Sequence, residues 1–112
     1  MSFKQWLETS APCGECFQWA CGQAMRDKSV KVFHGLITMP FSNKPPHQHA
    51  WIEKNGRIWD WQMAEAGFGG KFHGKGYPPE IFEELFKPHD VKEYTAEEAI
   101  DNRNIHGHCG PY

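Results

Sequence analysis

The stretch from His47 to Met63, HQHAWIEKNGRIWDWQM, constrains the fold more than any other part of the chain. Two runs rich in aromatic and β-branched residues flank Asn55-Gly56, a dipeptide that tolerates positive φ at both central positions of a tight hairpin turn. With these two as the turn, Lys54 faces Arg57, Trp51 faces Asp60 and His49 faces Gln62. Cross-strand partners share a face of a sheet, as do residues two apart along a strand. His49 therefore projects on the same face as Gln62 and, diagonally, Asp60. Diagonal neighbours lie about 7–8 Å apart at the backbone, within reach of an imidazole and a carboxylate. Asp60 stands between Trp59 and Trp61, so a partly buried carboxylate in need of a partner is expected.

The elements around this hairpin read in order. An irregular lead-in reaches Glu15. From Cys16 to Arg26, Phe17, Ala20, Cys21 and Ala24 recur at helical spacing, and Pro12 and Gly14 mark the start, putting Cys16 in or near the first turn. Val30 to Thr38 is β-rich, with a bend expected at Gly35. Residues 39–46, with three prolines, connect, and 66–76, with five glycines, form a loop. Glu80 to Phe86 reads as a short helix ended by Pro88, and Val91 to Tyr94 as a short strand. Thr95-Ala96-Glu97-Glu98 is a capping box opening a helix to about Asn102, followed by an irregular tail. The expected fold is α+β: residues 1–112 as one domain, the Cys16 helix packed on a small antiparallel sheet that contains the hairpin.

Bulk properties narrow the function classes. A net charge of −2 over 112 residues is too small and too mixed for an electrostatic nucleic-acid or membrane binder. The N-terminal stretch lacks the apolar run of a signal peptide, and no 18-residue apolar segment occurs, so a soluble, cytoplasmic protein is expected. Without a secretory signal, the four cysteines read as thiols, metal ligands or a catalytic group rather than disulfides. The seven histidines invite catalytic and metal readings alike.

A thiol at a helix N-terminus is biased toward thiolate by unsatisfied backbone N–H groups and the helix dipole, and a nearby imidazole strengthens that bias. Cys16, His49 and Asp60 form a complete nucleophilic set: Cys16 attacks a carbonyl, His49 takes and returns the proton, and Asp60 orients His49. The Cys16 N–H supplies one oxyanion donor, with Gln5, Ser10 and Gln18 as side-chain candidates. The set needs no cofactor or metal, and its partner is a peptide, protein or other amide-bearing substrate. His47 shares a face with His49 and rivals it as base, but lies a step further from Asp60. His34, His73 and His89 read as surface or structural histidines, and Cys21, Trp19 and Trp51 as core. The main alternative is a small zinc-stabilised binding module using Cys13, Cys16, His106, His108 and Cys109, in which Cys13 and Cys16 form a C-x-x-C half-site and His106-x-His108-Cys109 a cramped second half. A thioredoxin-like redox role for Cys13 and Cys16 lacks the preceding hydrophobic strand. Gly69 to Lys75 matches a phosphate loop except that Gly76 stands where Ser or Thr is required.

GECFQWA, FHG and HAWIEKNGRIWDWQ together resemble papain-like and transglutaminase-like cysteine enzymes, in the form found in small bacterial and phage proteins of that superfamily. The Tyr94–Ala99 and His108–Tyr112 stretches are similar to the ends of those proteins. The resemblance implies Cys16, His49 and Asp60 as catalytic residues and peptidase, amidase or amine acyl-transfer chemistry. One departure is Ser10, which stands where papain-like enzymes carry the oxyanion glutamine.

Overall fold

A computed structural model describes residues 14–39, 43–61, 72 and 74–112. Its elements follow the order α1 (Gly14–Arg26), β1 (Lys31–Ile37), β2 (His47–Lys54), β3 (Arg57–Trp59), α2 (Pro79–Phe86), β4 (His89–Thr95) and α3 (Ala96–His106). The four strands form one antiparallel sheet in the order β3-β2-β1-β4. This is the expected α+β domain, with the first helix on an antiparallel sheet. Among the described residues, no helix is long and apolar enough to cross a membrane.

The hairpin turns where the dipeptide demands. Asn55 and Gly56 take φ values of 55° and 75°, the left-handed conformations of a type I′ turn. Lys54 pairs with Arg57, Glu53 with Ile58 and Ile52 with Trp59, as the turn register requires. The ladder is shorter than the pattern predicts: β3 ends at Trp59, so Asp60 lies just beyond the strand and the expected Trp51–Asp60 pair does not form part of it. Beyond β3 the outer edge is covered by Tyr77, which exchanges two backbone hydrogen bonds with Ile58 at 2.8 and 2.7 Å. The predicted partner Gln62, the lead-in through Cys13 and most of the glycine-rich loop lie outside the described residues.

At the centre of β2 both faces of the sheet are covered, which explains why this strand is apolar at consecutive positions rather than alternately, whereas the edge strand β4 is exposed. Ala50 and Ile52 join Val32 and the apolar stripe of α1 (Cys16, Phe17, Ala20 and Ala24), together with Ala96 and Ala99 of α3. On the other face, Trp51 joins Ile37, Ile58, Tyr77 and the α2 residues Phe82 and Phe86. Trp51 stacks on its cross-strand partner Phe33 at 6.0 Å and meets Phe82 at 5.1 Å. Fully burying a side chain of this size contributes roughly 1.5–3 kcal/mol.

The helix ends follow local chemistry. Pro79 opens α2, where a missing N–H costs nothing. The Thr95 hydroxyl accepts from the Glu98 N–H at 3.1 Å, while the Glu98 carboxylate accepts from the Thr95 N–H at 3.0 Å, completing the capping box. α3 runs four residues past the expected end. No breaker intervenes before Gly107, which takes φ 76° and donates its N–H to the Arg103 carbonyl at 2.8 Å. β4 is likewise longer than Val91–Tyr94.

His34 departs from the surface placement considered for it. It is 7 % exposed and surrounded by the rings of Phe17 at 4.7 Å, Tyr94 at 5.0 Å and Tyr112 at 5.4 Å. Burial, and after it the Lys92 charge, hold its imidazole down to about 4.

Two predictions follow from this packing. At Gly56 an added Cβ meets nothing within 4 Å, whereas at Gly76 (φ 78°) it would lie 2.7–2.9 Å from Trp59 and Arg57. Gly56→Ala should cost about 1–2 kcal/mol, the strain of a left-handed alanine. Gly76→Ala should cost about 2–5 kcal/mol, because overpacking adds to it; urea unfolding compares the two. The second concerns pH. His34 titrates lower in the folded state than in the unfolded chain, so its neutral form stabilises the fold fully above about pH 6.5. That contribution, on the order of 3 kcal/mol, is lost as pH falls from about 6.5 toward 4. Unfolding measured across this range should show a shallower decline in His34→Gln than in wild type.

Candidate active site

His49 and Asp60 come together as the hairpin register predicts. The His49 Nε2 lies 3.3 Å from Asp60 Oδ2. Both residues are buried, at 2 % and 1 % exposure, so the hydrogen bond is shielded from water that would otherwise compete for either group. The carboxylate and imidazole meet across the hairpin although Asp60 has already left the strand.

The ring's environment is built from its neighbours on that face. Trp51 stacks against His49 at 6.2 Å and an interplanar angle of 24°, and His47 meets it edge-on at 6.2 Å. Directly across β1 stands Gly35, the cross-strand partner of His49. A Cβ there would lie 3.0 Å from both Trp51 and Val91, so the bare backbone at Gly35 leaves the Trp51 ring its place beside His49. With Asp60 at Nε2, the remaining ring nitrogen, Nδ1, is buried and has no hydrogen-bond partner among the described residues. A carboxylate at Nε2 favours the tautomer with its proton there, which leaves Nδ1 as an acceptor.

His47, the rival base, is not the histidine bonded to Asp60. Burial, then the neighbouring His49 and Lys44, lower its proton affinity. Sequence reasoning missed Tyr77, whose bridge to Ile58 brings it beside the pair. Burial, and after it the Asp60 charge, push its phenol up to about 12, so it stands there as a neutral hydroxyl. Its only signal in the sequence is an aromatic residue between the glycine-rich loop and Pro78-Pro79.

Cys16 is the third residue of α1 and is fully buried, in the first turn as expected. It belongs to the cluster that contains Ala50, the neighbour of His49, whereas His49 shares the Trp51 face. No hydrogen bond joins the Cys16 thiol to His49 Nδ1, which has no partner among the described residues.

The remaining cysteines are arranged differently from the zinc set. Cys21 and Cys109 are thiols, and they lie close enough to act on one another's titration. Burial, followed by that contact, pushes Cys21 up to about 12. His106 and His108 pack on Tyr112, at 4.8 and 5.5 Å. Cys13 lies outside the described residues. Among the described residues, no three His, Cys, Asp or Glu side chains are grouped to hold a metal ion, so Cys16, His106, His108 and Cys109 do not converge as that reading requires.

The buried pair makes a stability prediction independent of activity. Asp60→Ala strands a buried imidazole and should cost about 3 kcal/mol. Asp60→Asn, which retains an oxygen acceptor, should cost less than half of that, and denaturant unfolding at neutral pH reads the difference.

No family model, curated protein or solved structure matches this chain.

Proposed function

We propose that the protein is a cysteine-nucleophile acyl-transfer enzyme of the papain-like or transglutaminase-like kind, with Cys16 as nucleophile, His49 as base and Asp60 as the group that orients His49. The observation that carries this reading is the buried His49–Asp60 hydrogen bond, which leaves His49 Nδ1 buried and open as an acceptor. General-base catalysis needs an imidazole oriented at one nitrogen and able to take a proton at the other from a group within hydrogen-bond reach. The orienting bond and the available nitrogen support this reading. Cys16, in the first turn of α1, stands where the helix N-terminus favours the thiolate, against the burial that disfavours it.

The chemistry follows from these roles. Nδ1 of His49 takes the Cys16 proton, and the sulfur adds to an amide carbonyl carbon. The Cys16 N–H faces the developing oxyanion. His49 then returns the proton to the leaving amine as the C–N bond breaks, leaving a thioester on Cys16. Water or a second amine, deprotonated by His49, attacks that thioester and regenerates the thiol. The substrate is a peptide, protein or other amide.

Thiol alkylation followed by peptide mass mapping tests this assignment. Cys21, pushed up to about 12, stays protonated near pH 7 and should resist iodoacetamide. Cys16 should be labelled there, and His49→Ala should slow its labelling about a hundredfold, the lower end of what a general base contributes. A Cys16 that labels at the same rate in His49→Ala, or no faster than Cys21, would refute the proposal.

A further inference from the structure

On the α1 and α3 side of the sheet, away from His49, a cavity of about 190 Å³ opens between β1, β4 and the C-terminal residues. Its lining includes His34, Gln48, Asp90, Lys92, Tyr94 and Tyr112. The sheet register explains the grouping: His34 pairs with Lys92, and Val32 with Tyr94, so Lys92 and Tyr94 stand on the His34 face. Tyr112 closes the other side, 6.0 Å from the Tyr94 ring and nearly perpendicular to it. Gly110 allows this closure, because a Cβ there would lie 2.6 Å from the His34 ring and 3.0 Å from Phe17.

His34 is the telling residue. It is 93 % buried, from its 7 % exposure, lines the cavity and makes only ring contacts, with no hydrogen bond among the described residues. Its ring nitrogens, which make no hydrogen bond among the described residues and are not sealed from solvent, are available to a group in the cavity. We propose that the cavity binds a small planar aromatic anion, a single ring bearing one carboxylate, with the carboxylate between His34 and Lys92 and the ring against Tyr94 and Tyr112.

Size, walls and charge each support that class. A cavity of about 150 Å³ accepts one benzene ring, so this one holds a ring with a small polar group. Its walls are the rings of His34, Tyr94 and Tyr112, set at tilted and edge-on angles that suit another aromatic face. The cavity lining carries both Lys92 and Asp90, and Lys92 is the charge that acts on His34. The neutral imidazole, the Lys92 ammonium, the Gln48 amide and the Tyr112 phenol, held protonated by burial up to about 12, all offer donors to a carboxylate.

Nuclear magnetic resonance titration of the whole chain, following the His34 ring signals assigned with His34→Gln, tests this with benzoate, acetate and benzylammonium. Benzoate should shift those signals saturably, with a Kd on the order of 1 mM for so small a ligand. Acetate and benzylammonium should bind at least about tenfold more weakly, and Lys92→Gln, an exposed edge-strand change, should weaken benzoate about tenfold. The proposal is overturned if benzoate produces no saturable His34 shift, if benzylammonium or acetate matches it, or if Lys92→Gln leaves its affinity unchanged. Because this cavity and Cys16 have separate readouts, either can fail without the other.

Discussion

A carboxylate with 1 % of its surface exposed needs a partner, and Asp60 finds one in His49. That pair depends on a two-residue turn whose φ values are both positive, because a slip of one residue would send Asp60 to the opposite face. The turn fixes the register, the register brings the imidazole and carboxylate together, and burial keeps water from competing for either. The hydrogen bond then determines which nitrogen of His49 is left for chemistry.

The sheet holds this pair by having two differently built faces. The α1 and α3 face is packed with small residues, Ala20, Ala24, Ala50, Ala96 and Ala99, which let helices approach closely. The α2 face is packed with large rings, Trp51, Tyr77, Phe82 and Phe86. His49 belongs to the aromatic face, where stacking on Trp51 fixes its plane. Cys16 belongs to the small-residue face, through the first turn of α1. The proposed chemistry therefore links groups contributed by both layers, and the backbone between them at His49 and Ala50 is the part that must stay rigid.

Much of this was legible in the chain. Asn55-Gly56 announced the hairpin and its register, the Thr95 and Glu98 capping box marked the start of α3, and the spacing of Phe17, Ala20, Cys21 and Ala24 gave the buried stripe of α1. Other features were illegible for physical reasons. The end of α3 depended on Gly107 adopting a left-handed cap, and Gly107 lies in a stretch whose polar composition reads as irregular. The burial of His34 depends on Tyr94 and Tyr112, which are distant in sequence and meet it only in the fold. Tyr77 reaches Asp60 through a bridge to Ile58, a long-range pairing that no local pattern announces.

The separation of the Cys16 sulfur from His49 Nδ1, measured in crystals grown near neutral pH, tests the central claim most directly. An active thiol and imidazole should lie within about 3–4 Å of one another. A sulfur beyond about 6 Å, or one bonded to a metal or to another sulfur, would contradict the account.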